Sequence, residues 1–396
     1  MRYAFILTII ALLELFSTGA ALSLQWWLQP WIGSTTTLVA LWIGVFLITH
    51  VLLLLSITKL LANSYRWMSG WMLVMHFIML TAVATSVVYG GFWLLTLLFS
   101  DAIFTNMLFG NTADSSMVID IGLRIFALLF FIGLFIYSLY SAYIPVVREL
   151  SIQIHKPLKN PLRIAVASDL HLGRLFGNKA IERLYIMLSK HQADILLMPG
   201  DIMDDNTQAF NTHNMKDSLA KLVASLPYGV YATLGNHDLY GHEQPISDSL
   251  RAAGVQLLND EVTHLNHQGE MVWLMGRFDN HKHQRVATTE LLAQVTSAEP
   301  VILLDHRPSA ILEHSQLPID LQVSGHTHNG QIFPVNFIVN AINRLGYGYE
   351  AIGKGHFVVS SGYGFWGIPF RLGSRSEIWI INLIGTNIGT NIGTQI

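Results

Sequence analysis

Long apolar runs dominate the first 150 residues of the chain, whereas apolar and polar positions alternate over short distances in the rest. A helix that crosses a membrane needs about 20 consecutive, mostly apolar residues. Four runs are long enough, at roughly 4–24, 37–61, 67–99 and 121–144. The pattern therefore predicts an N-terminal transmembrane domain, residues 1–147, made of about four helices.

Two of these runs leave alternatives open. Gly90 and Gly91 can break the third run, which would make residues 92–109 a separate interfacial or re-entrant segment. The first run also resembles a cleaved signal peptide, because Arg2 precedes it and small residues lie near its end. Glu14 within the apolar run, and the absence of a twin-arginine pair, favour a retained helix instead.

Beyond residue 160, short apolar runs alternate with stretches of helical periodicity. The apolar runs, predicted as strands, are 163–168, 194–199, 229–234, 271–276, 301–305, 321–324, 357–361 and 378–383. The helical stretches are 178–192, 209–225, 243–253 and 287–297. This alternation indicates an α/β domain, predicted over residues 161–384. A linker is predicted at 148–160, where prolines lie among mixed charges, and the repetitive end of the chain, 385–396, is predicted to be a low-complexity tail.

Composition agrees with this division and excludes several classes of function. The chain is 52% hydrophobic and 12% charged, whereas soluble domains contain about 25% charged residues. The formal net charge of −3 supplies no positive field, so no nucleic-acid binding is expected. Because the chain has no cysteine, disulfides, thiolate metal sites and thiol nucleophiles are excluded.

Basic residues near the predicted spans indicate an orientation. Arg2, Lys59, Arg66 and Arg148 all fall on one side, while the 100–120 loop on the other side holds three aspartates and no Lys or Arg. The positive-inside rule then predicts an integral membrane protein, in contact with the lipid bilayer, whose α/β domain is cytoplasmic. Moving one span would place that domain on the opposite side.

Glu14, His50, His76 and Arg124 are polar residues inside the predicted spans. Such residues inside a membrane often mark a functional site. Hydrogen bonds between helices, or extension of the Arg124 side chain to the interface, explain them without a function. The second interpretation is favoured.

Chemically active side chains follow five of the predicted strands. They are Asp169 and His171, then Asp201, then Asn236, His237 and Asp238, then His306, and finally His326 and His328. The carboxyl ends of strands in open α/β sheets form the edge that binds ligands. Each short motif alone also fits an ordinary turn, but five in succession favour a common site.

The residue types at these strand ends suit divalent metals. Carboxylate oxygen and imidazole nitrogen are ligands for Mn, Fe, Zn, Co or Ni, and Mg is the remaining candidate. Two such ions about 3.5–4 Å apart can hold a phosphoryl group and activate water. The expected cofactor is therefore a pair of divalent ions of unspecified identity.

Five sequence motifs carry a resemblance to a known family. They are SDLHLG (168–173), GNHD (235–238), DHRP (305–308), SGHTHNGQ (324–331) and SSGYGFWGIPFRLG (360–373). With GD at 200–201, they resemble the calcineurin-like metallophosphoesterase superfamily, and in detail its bacterial, membrane-attached, phosphodiesterase-like members. The resemblance covers roughly residues 160–384. It implies a four-layer αββα sandwich with a dinuclear site between two sheets, in a protein of the bacterial inner membrane.

The resemblance also implies a role for each residue of the site. Two sets of metal ligands share one bridging aspartate. One set is Asp169, His171, Asp201 and His328, and the other is Asp201, Asn236, His306 and His326. His237 is implied to be catalytic and not a ligand, stabilising the transition state or protonating the leaving oxygen.

Two positions depart from the pattern of the superfamily. Asn329 stands where glycine is common, and its side chain can either reach the substrate or simply accommodate a turn with positive φ. Asp305 stands where serine is usual, and it can orient an imidazole as a hydrogen-bond acceptor. Other candidates near the site, each equally well explained as an ordinary surface or loop residue, are Arg174, His242, Asp279, Arg371 and Arg375.

The sequence therefore predicts a membrane-anchored, metal-dependent phosphoesterase. The bond hydrolysed is a phosphodiester, a pyrophosphate or a phosphomonoester, with phosphodiesterase activity favoured over monoesterase activity. A lipid-linked substrate is a further hypothesis, because four spans exceed what an anchor needs. The alternative is a membrane sensor or scaffold whose phosphoesterase domain binds a phosphorylated ligand without turnover.

Overall fold

The computed structural model describes residues 2–31, 34–61, 64–99, 115–296 and 298–386. The chain divides into two compact units, Met1–Tyr137 and Ser138–Ile396. Helix α4 contributes to both, because its last turns lie beyond residue 137.

The first unit is helical. Its helices are α1 (Arg2–Leu28), α2 (Thr35–Thr58), α3 (Ser64–Phe99) and most of α4 (Ser115–Tyr143). Helices α1, α2 and α3 contact one another around a small buried cluster of Ala20, Ala21, Val45 and Met75.

Three helices in the described part of the chain are long and apolar enough to cross a membrane, not the four that were predicted. They are Thr35–Thr58, Ser64–Leu98 and Ser116–Tyr143. Helix α1 forms over Arg2–Leu28 but is not among these three. The alternative break at Gly90 and Gly91 is wrong, because α3 continues through both glycines to Phe99; residues 100–109 lie outside the described residues.

Ionisable side chains in the first unit join helices to one another. Glu14 Oε1 lies 2.8 Å from His50 Nε2, which connects α1 with α2. Arg124 of α4 donates to the carbonyl oxygens of Trp26 and Trp27 at the end of α1, where the helix dipole is negative. These contacts match the structural interpretation of the polar residues.

The second unit contains two mixed six-stranded sheets. The strands of the first are β1 (Val146–Gln153), β2 (Leu162–Val166), β3 (Ile195–Pro199), β4 (Val230–Thr233), β5 (Gln256–Leu257) and β12 (Glu377–Ile384), in the order β1-β12-β2-β3-β4-β5. Strands β2 to β5 run parallel, whereas β12 is antiparallel to β2.

The second sheet has a comparable arrangement. Its strands are β6 (Glu261–His267), β7 (Glu270–Arg277), β8 (Val301–Asp305), β9 (Leu321–Ser324), β10 (Gly348–Ile352) and β11 (Gly355–Val359), in the order β10-β11-β9-β8-β7-β6. Strands β7, β8, β9 and β11 run parallel, and β6 and β10 are antiparallel edges.

Helices connect the strands of both sheets. They are α5 (Asn178–Lys190), α6 (Gln208–Thr212), α7 (Met215–Ala224), α8 (Glu243–Ala252), α9 (Thr288–Leu292), α10 (Ile311–His314) and α11 (Val335–Ile342). Short 3₁₀ turns lie at Pro308–Ala310 and His328–Gly330.

Apolar side chains from both sheets form a shared buried cluster. Ile164 and Leu197 of the first sheet belong to it together with Ile302 and Val323 of the second. A separate cluster contains the helices α5, α7 and α8 and the first sheet. Burial on both faces explains why the central strands are continuous apolar runs.

Four strands were not predicted from the sequence: β1, β6, β10 and the two-residue strand β5. Strand β1 begins at Val146 and occupies part of the predicted linker 148–160, because it pairs in parallel with β12 and buries Ile152. Strands β6 and β10 are edges that expose one face, so their sequences read as mostly polar.

The shared cluster between the sheets predicts a large effect of truncation at Ile381. This side chain is fully buried, so we expect Ile381→Ala to lower the free energy of unfolding by about 2–5 kcal/mol. Ile186→Ala, on a side chain that is 56% exposed, is the matched control and is expected to change it by no more than about 0.5 kcal/mol. Denaturant unfolding of the detergent-solubilised chain measures both, and equal effects would contradict the assignment of the core.

Candidate metal centre

The structure brings the predicted site residues together from five strand ends. Asp169 and His171 follow β2, and Asp201 follows β3. Asn236 and His237 follow β4, His306 follows β8, and His326 and His328 follow β9. Two groups of potential ligands result, each with its donor atoms within 4.8 Å of one another.

The first group consists of Asp169, His171 and His328, and all three are buried. The Nε2 atoms of His171 and His328 lie 3.2 Å apart. Asp169 Oδ1 lies 3.6 Å from His328 Nε2. One oxygen and two nitrogen donors therefore converge on a small volume.

The second group consists of Asp201, His306 and His326. Asp201 Oδ2 lies 3.3 Å from His306 Nε2 and 3.8 Å from His171 Nε2 of the first group. This carboxylate oxygen consequently faces both groups. Asn236 Oδ1 lies 3.3 Å from His306 Nε2, which adds an amide oxygen to the second group.

The backbone of the candidate ligands is strained. Five of them have positive φ, a region that side chains other than glycine rarely adopt: Asp169 (51°), His171 (46°), Asp201 (51°), His326 (70°) and His328 (48°). Left-handed backbone costs roughly 1–2 kcal/mol per residue, and such strain concentrates at functional sites. Asn329, with φ of 47°, also adopts the positive-φ turn proposed for it.

Two glycines allow the chain to approach the aspartates closely. A Cβ atom on Gly235 would lie 2.1 Å from Asp201 Oδ1, and one on Gly325 would lie 2.2 Å from Asp169 Oδ2. Backbone amides one or two residues after these glycines donate to the same carboxylates. His237 N donates to Asp201 Oδ1 and His326 N to Asp169 Oδ1, each at 2.9 Å. The glycines therefore let main-chain N–H groups hold both acids.

Burial and neighbouring charges set the protonation of the site. Burial raises the pKa of Asp169 to about 6, and burial lowers the pKa of His171 and His326 to about 3. Burial also lowers the pKa of His328. These imidazoles are therefore neutral at pH 7, with lone pairs available to a metal ion.

The pKa of Asp201 is lowered, in contrast to that of Asp169. Burial alone would raise its pKa, but His306 and the other nearby imidazoles lower the pKa more strongly, so the carboxylate stays charged. Burial likewise opposes a charge on His306, yet Asp201 raises the pKa of that ring to about 10. A positive charge beside Asp201 is thus strongly favoured.

The donor set fits a pair of divalent cations. Two carboxylates, four imidazoles and one amide meet in a buried region, and isolated buried carboxylates are unfavourable without a compensating cation. The Nδ1 atom of His306 lies 2.8 Å from the carbonyl oxygen of Pro199 and donates to it, so Nε2 faces Asp201 and Asn236. The negative charge that favours a proton on Nε2 would equally favour a metal ion in place of that proton. Oxygen and nitrogen donors in this combination are typical of Mn, Fe, Zn, Co and Ni sites.

His237 lies beside the two groups but has a different partner. Its Nδ1 atom is 2.5 Å from Asp205 Oδ1, and its ring centroid is 4.9 Å from that of His171. Burial lowers the pKa of His237, but Asp205 and Asp201 raise it more, and the net shift is upward. The two aspartates therefore favour the protonated form of this imidazole.

Asp238 has a structural task within the same turn. It accepts hydrogen bonds from the backbone amides of Ile202 (3.1 Å), Met203 (2.9 Å) and Gly235 (3.0 Å). It thereby ties the loop after β3 to the loop after β4. Burial raises its pKa to about 7.

Arg371 is the buried side chain that supports the first group. It is fully buried, and its Nη2 atom lies 3.0 Å from His328 Nδ1 and 2.6 Å from the carbonyl oxygen of Ser361. The contact turns the other ring nitrogen of His328 towards His171. Arg174, in contrast, is exposed.

Asp305 does not have the role that was predicted for it. Instead of an imidazole, it contacts Arg277 at 3.4 Å and Arg285 at 3.0 Å. As the last residue of β8 it alternates with His306, so its side chain points away from that ring. Asp279 accepts from Arg307 at 2.6 Å. Burial alone would raise the pKa of Asp279, but Arg307, His306 and the backbone amide of His281 together lower it more.

Comparison with known proteins identifies the family. A model of calcineurin-like phosphoesterases matches residues 162–330. An uncharacterized metallophosphoesterase of Aquifex aeolicus is 32% identical over 256 residues, which are 63% of this chain and 95% of that protein. The chain belongs to the calcineurin-like phosphoesterase family.

Longer relatives are also similar. An uncharacterized metallophosphoesterase of Helicobacter pylori is 31% identical over 255 residues, 61% of this chain and 65% of that protein. A Bos taurus transmembrane protein with metallophosphoesterase domain is 30% identical over 254 residues, 59% of this chain and 56% of that protein. The match thus spans less than two thirds of either relative.

Membership of the calcineurin-like family supports a metal-dependent phosphohydrolase with a dinuclear metal centre, and the two ligand groups are consistent with it. Sequence reasoning missed Asp205 as the partner of His237, and it missed Tyr240 and Trp366, whose rings lie 4.9 Å and 6.1 Å from that of His237. Asp205 follows Asp201 by four residues on the same loop, which is the one local signal for it.

The position of Asp201 between the groups leads to a prediction on metal content. We expect Asp201→Asn to lower the affinity for divalent ions by at least about tenfold, because an amide lacks the negative charge that faces both groups. Elemental analysis after dialysis against defined Mn²⁺ or Zn²⁺ measures the ions retained per chain. Asp217→Asn, on an exposed residue of α7, is the matched control, and unchanged metal content in Asp201→Asn would contradict the assignment.

Proposed function

We propose that the chain is a membrane-anchored phosphohydrolase that uses two divalent ions and prefers phosphodiesters or pyrophosphates to monoesters. The observation that carries the proposal is the position of Asp201 Oδ2, which faces His306 of one ligand group and His171 of the other. Asp169, His171, Asp201 and His328 would hold one ion, and Asp201, Asn236, His306 and His326 the other.

The chain's own residues have separate tasks in this proposal. When bound, the two ions would screen the phosphoryl oxygens and lower the pKa of the attacking water. Asp205 holds Nδ1 of His237, which leaves Nε2 to donate its proton to the leaving oxygen. Tyr240 orients Asn236, because its hydroxyl oxygen accepts a hydrogen bond from Asn236 Nδ2 at 2.9 Å.

The domain organisation belongs to the same proposal. Residues 161–384 would form the catalytic domain, with the two sheets and their helices stacked as a four-layer αββα sandwich. The apolar cluster that both sheets share supports this stacking. The Aquifex relative supports the boundary, because the matched region makes up 95% of that protein.

Membrane attachment would come from the N-terminal helices. Three described helices are long and apolar enough to span a bilayer, and the Bos taurus relative is named a transmembrane protein. We propose an integral protein of the bacterial inner membrane with the catalytic domain on the cytoplasmic side. A lipid-linked phosphoester is the substrate class that this location favours.

Hydrolysis assays test the proposed activity directly. We expect turnover of bis-(p-nitrophenyl) phosphate to exceed that of p-nitrophenyl phosphate and to require added Mn²⁺, Zn²⁺, Co²⁺, Ni²⁺, Fe²⁺ or Mg²⁺. His237→Ala should lower kcat by about 10²–10⁴-fold, the usual contribution of a positioned acid. Asp205→Asn should lower kcat less, because it removes only the partner of Nδ1.

Controls separate the hydrolase from the ligand-binding alternative. His237→Ala should keep its metal content, since the proposal makes His237 a proton donor and not a ligand. Absence of turnover with any of the six metals, in a protein that retains two ions per chain, would reject these substrates and favour a sensor or scaffold.

The side of the membrane on which the catalytic domain lies can be tested by labelling an introduced cysteine, because the chain has no cysteine of its own. Gln268, in the exposed turn between β6 and β7, can be replaced as Gln268→Cys to provide a single label site. We expect a membrane-impermeant maleimide to label it only after spheroplasts are lysed. Labelling of intact spheroplasts would place the catalytic domain outside.

A further inference from the structure

Helix α11 presents its apolar side to the outside of the second unit, Ser138–Ile396, which we call the catalytic unit. Val335, Phe337, Ile338 and Ile342 are 43%, 63%, 58% and 76% exposed. Val335, Ile338 and Ile342 fall at i, i+3 and i+7, so they share one face. No residue of this helix is buried.

One polar residue of α11, Asn336, faces the protein. It is half-buried and its Oδ1 atom is buried, whereas Asn340 is exposed. Asn336 lies against Gly330, where an added Cβ would come within 2.3 Å of its backbone nitrogen. A helix of a soluble protein has the reverse arrangement, with its apolar face towards the core.

Trp366 is a further exposed apolar side chain, on a loop tied to the segment before α11. It is 51% exposed and lies on the loop 361–376. Gln331 joins this loop to the segment before α11, because its Nε2 donates to Trp366 O at 3.0 Å and its Oε1 accepts from Trp366 N at 2.9 Å. We define Val335, Phe337, Ile338, Ile342 and Trp366 as the apolar surface.

The same loop is bound to the end of the last apolar helix. Residues 138–143 of α4 belong to the catalytic unit. Arg371 N donates to Ser138 O at 3.0 Å, and Ser376 N donates to Ser141 O at 3.0 Å. Leu372, which follows Arg371 in the loop, accepts a hydrogen bond at its carbonyl oxygen from Phe333 N at 2.6 Å. Phe333 lies just before α11.

The end of α4 carries the aromatic and basic side chains of a membrane interface. Tyr140 is 48% exposed, and the guanidinium of Arg375 lies 4.9 Å from the centre of its ring. Tyrosine and arginine concentrate where a spanning helix leaves the hydrocarbon layer. The loop 361–376, which is hydrogen-bonded to the end of α4, is therefore held close to the membrane interface in this proposal.

The apolar surface also borders the metal centre. The ring centroid of Trp366 is 6.1 Å from that of His237, and α11 begins seven residues after His328. A substrate that reaches His237 past Trp366 would pass exposed apolar side chains. This arrangement suits a molecule with a phosphate at one end and an apolar chain at the other.

We propose that the apolar surface inserts into the lipid bilayer and places the entrance of the metal centre at the level of the lipid headgroups. The inference rests on the membrane attachment in the proposed function and adds the surface through which a lipid-linked phosphoester enters. Residues 332–343 contain no charged side chain, as insertion requires. A second copy of the chain is the competing occupant, which the experiment tests.

Fluorescent labels at single cysteines test the insertion. In the full-length chain, Phe337→Cys and Ile342→Cys each provide the only cysteine, because the natural sequence has none. Each variant is labelled with an environment-sensitive NBD dye and reconstituted in vesicles of phosphatidylcholine and phosphatidylglycerol. Gln268→Cys, in an exposed turn at the far edge of the second sheet, is the matched control.

We expect the labels at 337 and 342 to emit at shorter wavelength than the label at 268 and to be quenched by doxyl-labelled lipid. Emission as in water at 337 and 342 would overturn the inference. Emission in an apolar environment without lipid quenching, and dependent on protein concentration, would assign the surface to a second copy and overturn it as well.

The activity assay keeps the two proposals separate. Hydrolysis of bis-(p-nitrophenyl) phosphate, measured on the same vesicles, reports on the metal centre alone. Lipid quenching without hydrolysis would reject the proposed activity and support the inserted surface. Hydrolysis without lipid quenching would support the proposed activity and reject the inserted surface.

Discussion

The burial of Asp169 and Asp201 is the constraint on which the rest of the site depends. Both carboxylates are nearly inaccessible to water, and both sit on left-handed backbone directly after a strand. A buried carboxylate without compensation is strongly unfavourable. Backbone amides, imidazoles and the positive charge that the site favours beside Asp201 supply the compensation. A pair of divalent cations satisfies the same requirement, which links the architecture of the strand ends to the chemistry of the family.

The strain of these turns is maintained by side chains that do not take part in the chemistry. Asp238 ties two of the strand-end loops together through three backbone amides, and Arg371 holds His328 and the carbonyl of Ser361. Because the loop that contains Arg371 is also bound to the end of α4, the metal centre and the last apolar helix share one connected set of hydrogen bonds. Within the second unit, the last turns of α4 and the candidate metal centre are therefore joined through the loop that contains Arg371.

Membership of a family defines a type of chemistry more closely than it defines a substrate. The fold can present the same pair of ligand groups to many phosphoesters, and what surrounds the groups selects among them. In this chain the surroundings of His237 are aromatic, with Tyr240 and Trp366 on its exposed side. In the proposal above, these side chains and α11, not the metal ligands, would distinguish an amphiphilic substrate from a soluble one.

The sequence alone determined the α/β class and the strand-end residues, because central strands are continuous apolar runs and the chemically active side chains follow them directly. Local sequence could not reveal edges such as β1, whose partner β12 lies more than 200 residues away. It predicted four membrane spans, whereas three helices of the described residues are long and apolar enough to cross a membrane. Only the tertiary structure brought Asp205 to His237, turned Asp305 towards two arginines and left the apolar face of α11 exposed. These features depend on which segments meet in space, and a pattern along one segment contains no information on its distant neighbours.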